Sequence, residues 1–241
     1  MTTAGIVVIG NEVLSGKVEE ENARFLVREL RALGVELRRI AIIRDELSEI
    51  EREVRAMAGA YDHVFTTGGV GPTHDDITME GVALGLGVPL IRHPEIEARI
   101  REHFGARVTA SVLHMADVPE GTELLGQGTM LHPITKVRNV YVLPGVPEFL
   151  RAKFNFLKGS LRDSPIVLRQ IWVRVGEDAI GDHLREALAL VPGIEIGSYP
   201  RFDTDEYKVK ITIEAREAAL VDRGVEALLG RIPADAVVRV E

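Results

Sequence analysis

Through Leu157 the chain alternates short unbroken apolar runs with longer stretches in which apolar positions recur every three or four residues. Gly5-Ile6-Val7-Val8-Ile9-Gly10 is a β-branched run closed by glycine, the pattern of a strand buried on both faces of a parallel sheet. Asn11 to Gly16 reads as a loop. From Glu20 to Leu33 the positions Ala23, Leu26, Val27, Leu30 and Leu33 keep helical spacing, and Gly34 stands where a helix C-cap belongs. Val35 to Ile43 predicts a second strand, Leu47 to Ala58 a second helix and His63 to Thr67 a third strand. Helical patterns return at Thr78 to Leu84 and Pro94 to Phe104, with a short strand, Val88 to Ile91, between them.

Gly105 to Lys136 has no sustained period, and loops with short strands are expected there. Asn139 to Leu143 is another buried run, stopped by Pro144-Gly145-Val146-Pro147 and followed by a helical pattern from Glu148 to Leu157. Strands alternating with helices imply crossover connections, hence a parallel α/β sheet with helices on both faces, over residues 1–160. Lys158 to Pro165 reads as a linker. Residues 165–241 then give strand, helix, strand, strand, helix, strand, the βαββαβ order of a small ferredoxin-like or KH-like α+β domain. Its third strand alternates Val209, Ile211 and Ile213 with Lys208, Lys210 and Thr212, so one face meets the helices and the other meets water.

Composition narrows the function classes. The 241 residues carry a net charge of −8, which gives no global positive field for nucleic acid or an anionic membrane. No apolar run reaches the roughly 20 residues of a membrane span, and Met1-Thr2-Thr3-Ala4 lacks the start of a secretory signal, so a cytoplasmic protein is expected. The chain contains no cysteine, which removes thiolate nucleophiles, disulfides and iron–sulfur clusters and leaves carboxylates, histidines and backbone oxygens to hold any metal.

The densest chemistry is Thr66-Thr67-Gly68-Gly69-Val70-Gly71-Pro72-Thr73-His74-Asp75-Asp76-Ile77-Thr78, between a buried strand and a helix. Closely spaced glycines let backbone N–H groups approach an anion, and the start of a helix adds unpaired donors. The spacing is neither the dinucleotide fingerprint nor a P-loop, because no G-x-G-x-x-G and no following Gly-Lys-Ser/Thr exists. His74, Asp75 and Asp76 place an imidazole and hard oxygen donors beside the loop, as a phosphate-bound cation requires. The competing explanation is a tight turn in which Asp75 or Asp76 caps the helix that begins near Thr78. Gly10-Asn11-Glu12 presents an amide and a carboxylate at a strand end, and Asp45 ends the second strand, where it can face the glycine loop or cap the next helix. Gly145 would let a ligand come near the backbone, or simply make a turn. Tyr199-Pro200-Arg201-Phe202 can reach an aromatic ligand or cover a sheet end. His63, His93, His103, His114, His132 and His183 form neither H-x-H nor H-E-x-x-H, and no G-x-S-x-G elbow exists, against zincin and serine hydrolase chemistry.

Taken in order, Gly10-Asn11-Glu12, Thr67 to Thr78 and Leu143-Pro144-Gly145-Val146-Pro147 resemble the molybdopterin-binding domain family, with its MoaB/Mog-like fold. Val137-Arg138-Asn139-Val140-Tyr141 and Gly197-Ser198-Tyr199-Pro200 extend the resemblance to the amino-terminal part of CinA and to the molybdopterin-binding-like domain of FAD synthases. His74, where CinA proteins commonly have lysine, and Val146, where they have proline, point to the FAD synthase branch. Gly126 to Pro133 takes the place of the Asn-Gly-Thr-Ala-Pro-Gly stretch of CinA. The resemblance implies a three-layer αβα domain with a mostly parallel sheet. It also implies a dinucleotide or pterin ligand, a homo-oligomer (dimer or trimer), and hydrolysis of an FAD- or ADP-ribose-type pyrophosphate with Mg²⁺, Mn²⁺ or Co²⁺, K⁺ assisting. It carries over Asp45 and Asp76 as catalytic positions and Gly68, Gly69 and Gly71 as the phosphate loop. The residues themselves add His74 as a further catalytic candidate, Asp75 and Asp76 as metal candidates, and Gly10, Asn11, Glu12, Thr67, Pro72, Thr73, Gly145, Pro147 and Tyr199 as ligand candidates. Binding without turnover, and adenylylation in molybdenum-cofactor synthesis, are the alternatives.

Overall fold

A computed structural model describes residues 1–126 and 133–241, and the chain divides into two compact units, Met1–Asp163 and Ser164–Glu241. The substitution for the CinA stretch at Gly126 to Pro133 therefore falls mostly on residues outside the described ones, as does His132.

In the first unit β1 (Thr3–Ile9) leads through a single helical turn, α1 (Asn11–Leu14), to α2 (Asn22–Ala32) and β2 (Glu36–Ile43). The chain then crosses back through α3 (Leu47–Ala60) to β3 (His63–Thr67), and α4 (Thr78–Leu86) follows. Next come β4 (Leu90–Arg92), α5 (Pro94–Phe104), α6 (Ala110–His114), β5 (Asp117–Pro119), β6 (Glu123–Leu125), β7 (Ile134–Val137), β8 (Val140–Leu143) and α7 (Pro147–Leu157). The main sheet has the order β2-β1-β3-β8-β7-β6; β2, β1, β3 and β8 are parallel, and β7 and β6 add antiparallel strands.

Alternation along the central strands builds two cores. Ala4, Ile6, Val8, Phe65, Tyr141 and Leu143 meet Leu26 and Leu30 of α2 and Leu150 and Phe154 of α7 on one face. Val7, Ile9, Val64, Val140 and Val142 meet Ile50 and Val54 of α3 and Val82 of α4 on the other. The result is the three-layer αβα architecture with a mostly parallel sheet. Because the chain goes from β1 to one side for β2 and then to the other for β3, the strand order reverses at β1, and loops leaving β1 and β3 open a crevice at their C-terminal ends.

Three local expectations need correction. Asn11 to Gly16 is not all loop, since Ser15 N–H bonds Asn11 C=O at 2.9 Å and closes the α1 turn. The strand expected at Val88 to Ile91 is shifted, starting at Leu90 and running on to Arg92 as β4, and it lies outside the main sheet, where it pairs antiparallel with β5 in a separate two-stranded ribbon. Within Gly105 to Lys136 a helix, α6, forms; Thr109 Oγ1 accepts the Val112 N–H and caps it.

The second unit contains β9 (Val167–Val173), α8 (Glu177–Leu190), β10 (Glu195–Pro200), β11 (Val209–Ala215), α9 (Ala218–Leu229) and β12 (Val237–Val240). Its sheet has the order β10-β11-β9-β12 with every neighbour antiparallel, as the split βαβ arrangement requires. Val209, Ile211 and Ile213 are buried as their alternation predicts, and Thr212 is buried as well.

Candidate functional site

The glycine loop begins where β3 ends. Gly68 and Gly69 hold φ at 99° and 62°, the left-handed region that an L side chain resists. A Cβ on Gly68 would strike the Ile9 carbonyl oxygen, and one on Gly69 would strike the Thr78 hydroxyl. Both glycines thus let this loop lie against the end of β1. Thr78, fully buried at the first position of α4, fixes it from the other side: its Oγ1–H donates to Gly68 C=O at 2.8 Å and its N–H to Gly69 C=O at 3.0 Å. Among the described residues, the N–H groups of Gly69, Val70 and Gly71 have no acceptor, so the loop offers a run of free donors.

A second brace ties this loop to the turn after β8. Thr67 Oγ1–H donates to Pro144 C=O at 3.0 Å, while the buried Asn22 amide donates to Thr67 Oγ1 at 3.0 Å and to Gly145 C=O at 2.7 Å. A Cβ on Gly145 would come within 3.3 Å of Gly68 Cα, so the two turns touch backbone to backbone. The single O–H of Thr67 is engaged in this brace, which makes Thr67 a positioning residue with no donor left for a phosphate.

Glu12 and Asp75 act electrostatically on Asp45, near the ends of β1 and β2. Asp45 does not cap α3, whose N-cap is Glu46 without a side-chain bond; its Oδ2 accepts the Asn11 N–H at 2.7 Å. Partial burial pushes the Asp45 carboxyl above its usual range, the Asn11 N–H opposes this, and the negative charges of Glu12 and Asp75 push it further up. Neither Asp75 nor Asp76 caps α4, whose N-cap is Ile77. Asp76 instead folds back on its own loop, its Oδ2 accepting from Thr73 N–H at 2.8 Å and from Thr73 Oγ1–H at 2.5 Å. Among the described residues, no Lys or Arg pairs with Glu12, Asp45, Asp75 or Asp76, and no three His, Asp or Glu side chains gather in the geometry of a metal cage.

The sequence-predicted residues divide accordingly. Gly10, Asn11, Glu12, Asp45, the Gly68 to Thr73 loop, Asp75, Asp76, Gly145 and Pro147 all stand at the C-terminal ends of β1, β2, β3 and β8. Gly10 N–H is spent on Ile43 C=O and Asn11 N–H on Asp45, so these two position the turn. The His74 side chain is 99% exposed, with its Nδ1 4.0 Å from Asp75 Oδ1, and nothing orients the ring. Tyr199 belongs to the second unit, where its ring lies over Gly197 and Lys210 Nζ stands 5.4 Å from its centroid.

Residues 5–163 match the family model described as "Probable molybdopterin binding domain". The chain belongs to the molybdopterin-binding domain family. Residues 165–241 match a second model, the middle domain of FAD synthase. A Caenorhabditis elegans protein named "Probable FAD synthase" is 32% identical over 94% of this chain and 49% of its own length. The chain thus spans about half the length of the FAD synthases it matches. An Archaeoglobus fulgidus protein is 31% identical over 90% of this chain and 98% of its own. The crystal structure titled as the protein CinA with unknown function, from Thermoplasma acidophilum, is similar at a TM-score of 0.62 and 30% identity, over 67% of this chain and 100% of that one.

In this molybdopterin-binding domain, sequence reasoning overlooked Asn22 as a site residue and gave Thr78 no role. Both signals were present. Asn22 shares the buried stripe of α2 with Leu26 and Leu30, and an amide on an apolar stripe requires a buried partner. Thr78 opens a helix whose neighbouring buried positions are apolar or glycine.

Proposed function

We propose that the first unit binds the pyrophosphate of an adenine dinucleotide and hydrolyses it with the help of a divalent cation. One observation carries this reading. A run of free backbone N–H groups, suited to an anion, lies beside carboxylates that no Lys or Arg pairs with among the described residues. A phosphate can share that space with Glu12, Asp45, Asp75 and Asp76 only if a cation stands between them.

The carboxylate oxygens are hard donors that suit such a cation; among the described residues the side chains do not complete a cage, so the ligand's own phosphate oxygens would have to make up the number. Asp45 and Asp76 would hold Mg²⁺, Mn²⁺ or Co²⁺, which when bound supplies the countercharge for the pyrophosphate. The Gly69, Val70 and Gly71 N–H groups orient the phosphates. Thr73 fixes Asp76, and Asp75 positions the water. The water oxygen bonds to one phosphorus as the bridging P–O bond breaks, the bridging oxygen leaves with the electron pair on the other phosphate, and one of the water's protons passes to solvent; with FAD the products are FMN and AMP. His74, free in solvent, takes no part.

Chromatography of FAD, ADP-ribose and NADH, each incubated with the protein and each cation, tests this directly. AMP formation is expected, and its absence with every cation removes the hydrolase reading. A second reading, binding of the same ligand without turnover, draws on the missing preformed metal cage among the described residues. Intact ligand recovered at saturation would favour it.

A further inference from the structure

Among the described residues, Arg138 is the one non-glycine residue with a positive φ, at 52°. With Asn139 it forms the two-residue turn between β7 and β8, where a φ of this sign at the first position favours glycine. Backbone strain of this kind persists where the surrounding contacts over-determine it. Here the contacts are helix ends. Arg138 Nη1–H donates to the Leu86 C=O, the last of α4, at 2.9 Å. The Asn139 amide donates to the Ala58 and Tyr61 carbonyls, at the end of α3, at 2.9 and 2.8 Å. One turn thus satisfies orphan carbonyls at the C-termini of two helices.

Those helices are joined along their length. A Cβ on Gly81 would strike Ile50 and one on Gly85 would strike Val54, so α4 lies close on α3, and Arg55 Nη2–H donates across to the Leu84 C=O at 3.2 Å. At their other ends the two helices carry two parts of the site. α3 starts two residues after Asp45, and Thr78, at the start of α4, holds the glycine loop through its side chain and its N–H. We infer that Arg138 is a positioning residue for that loop. By clipping the last carbonyl of α4 while Asn139 holds the end of α3, the turn fixes where α4 stands along α3, and so where Thr78 sets the loop relative to Asp45. The nine residues of α4 carry this constraint over about 13 Å. What the loop then holds rests on the pyrophosphate reading, whereas the clip belongs to the ligand-free chain.

Arg138→Gly suits the φ of the turn and removes the guanidinium, so the strain relieved offsets the bond lost and the melting temperature should change little. Hydrogen exchange of the ligand-free protein is the decisive measurement. The Thr78 N–H, bonded to the Gly69 C=O, should exchange at least about tenfold faster in Arg138→Gly, and Arg138→Lys, which keeps a cationic donor, should restore part of the protection. Thr109→Ala, which removes the cap of α6 outside both helices, should lower stability and leave Thr78 exchange as in the wild type. Calorimetry with ADP and Mg²⁺ should show affinity falling at least about threefold in Arg138→Gly and holding in Thr109→Ala. Faster exchange confined to the last turn of α4, or equal acceleration at Thr78 in Thr109→Ala, would overturn the positioning role and leave a local helix cap. If Thr78 responds as expected while the wild type binds no ADP, the clip stands and the pyrophosphate reading falls.

Discussion

Replacing Asn22 by alanine isolates what the brace contributes. The amide makes two bonds from a side chain that is 8% exposed, at 3.0 Å to Thr67 Oγ1 and 2.7 Å to Gly145 C=O. Each bond is worth about 1 kcal/mol net, and an unsatisfied buried carbonyl adds about 1 kcal/mol or more, so Asn22→Ala should cost about 2–4 kcal/mol. Thr67→Val, which removes the donor to Pro144, should cost about 1–2 kcal/mol. The two changes act on one network, so the double variant should lose less than the two single losses combined, by at least about 0.5 kcal/mol. Urea unfolding followed by circular dichroism measures all three, with equal m-values confirming that one native state is compared. Additive losses, or a loss under about 0.5 kcal/mol for Asn22→Ala, would show that the turn after β8 is held by something other than this amide.

Gly68→Ala combines a φ of 99° with a collision against the Ile9 carbonyl, and should cost at least about 3 kcal/mol in a thermal melt; a neutral result would mean the loop relaxes freely. Asp76→Asn keeps an acceptor for Thr73 but loses charge, so AMP release should fall by roughly 100-fold or more with the melting temperature little changed, and unchanged release would take Asp76 out of the chemistry. Burial lowers Lys153, whose Nζ donates to Pro133 C=O at 3.1 Å, from 10.5 to about 8. The unfolded chain then binds more protons between those values, so this group's penalty, at most about 3 kcal/mol, is present in full below pH 8 and fades as pH rises toward 10.5. Lys153→Met should therefore stabilise the fold most at neutral pH. A stability difference between variant and wild type that stays constant across that range would contradict the assignment.

The parts of the fold legible in the sequence were those fixed by period. Buried β-branched runs and helical stripes located the sheet and its layers, because burial on both faces leaves no polar positions to blur them. β4 was misplaced because membership of a sheet depends on which partner a strand finds, and three residues carry no record of that. α1 was missed because four residues are one turn, too short for a period to repeat. In the site, the glycine loop announced itself through composition. Direction did not: His74 and Asp76 are two residues apart, yet one ring stands in solvent and the other carboxylate is bonded to Thr73. The capping role open to Asp45 went to no side chain, because the Asn11 amide, distant in sequence, claimed the carboxylate.

The Asn22 brace also bears on how the candidate ligand site comes into being. Its contacts close loops of 45 and 123 residues, so the cradle cannot form until β8 has taken its place beside β3. A chain truncated before the turn at Pro144 would lack the wall of the crevice even if its earlier strands collapsed correctly. Ligand affinity is therefore a report on the completed first unit, and any molecule that occupies the cradle raises the melting temperature of that whole unit by mass action.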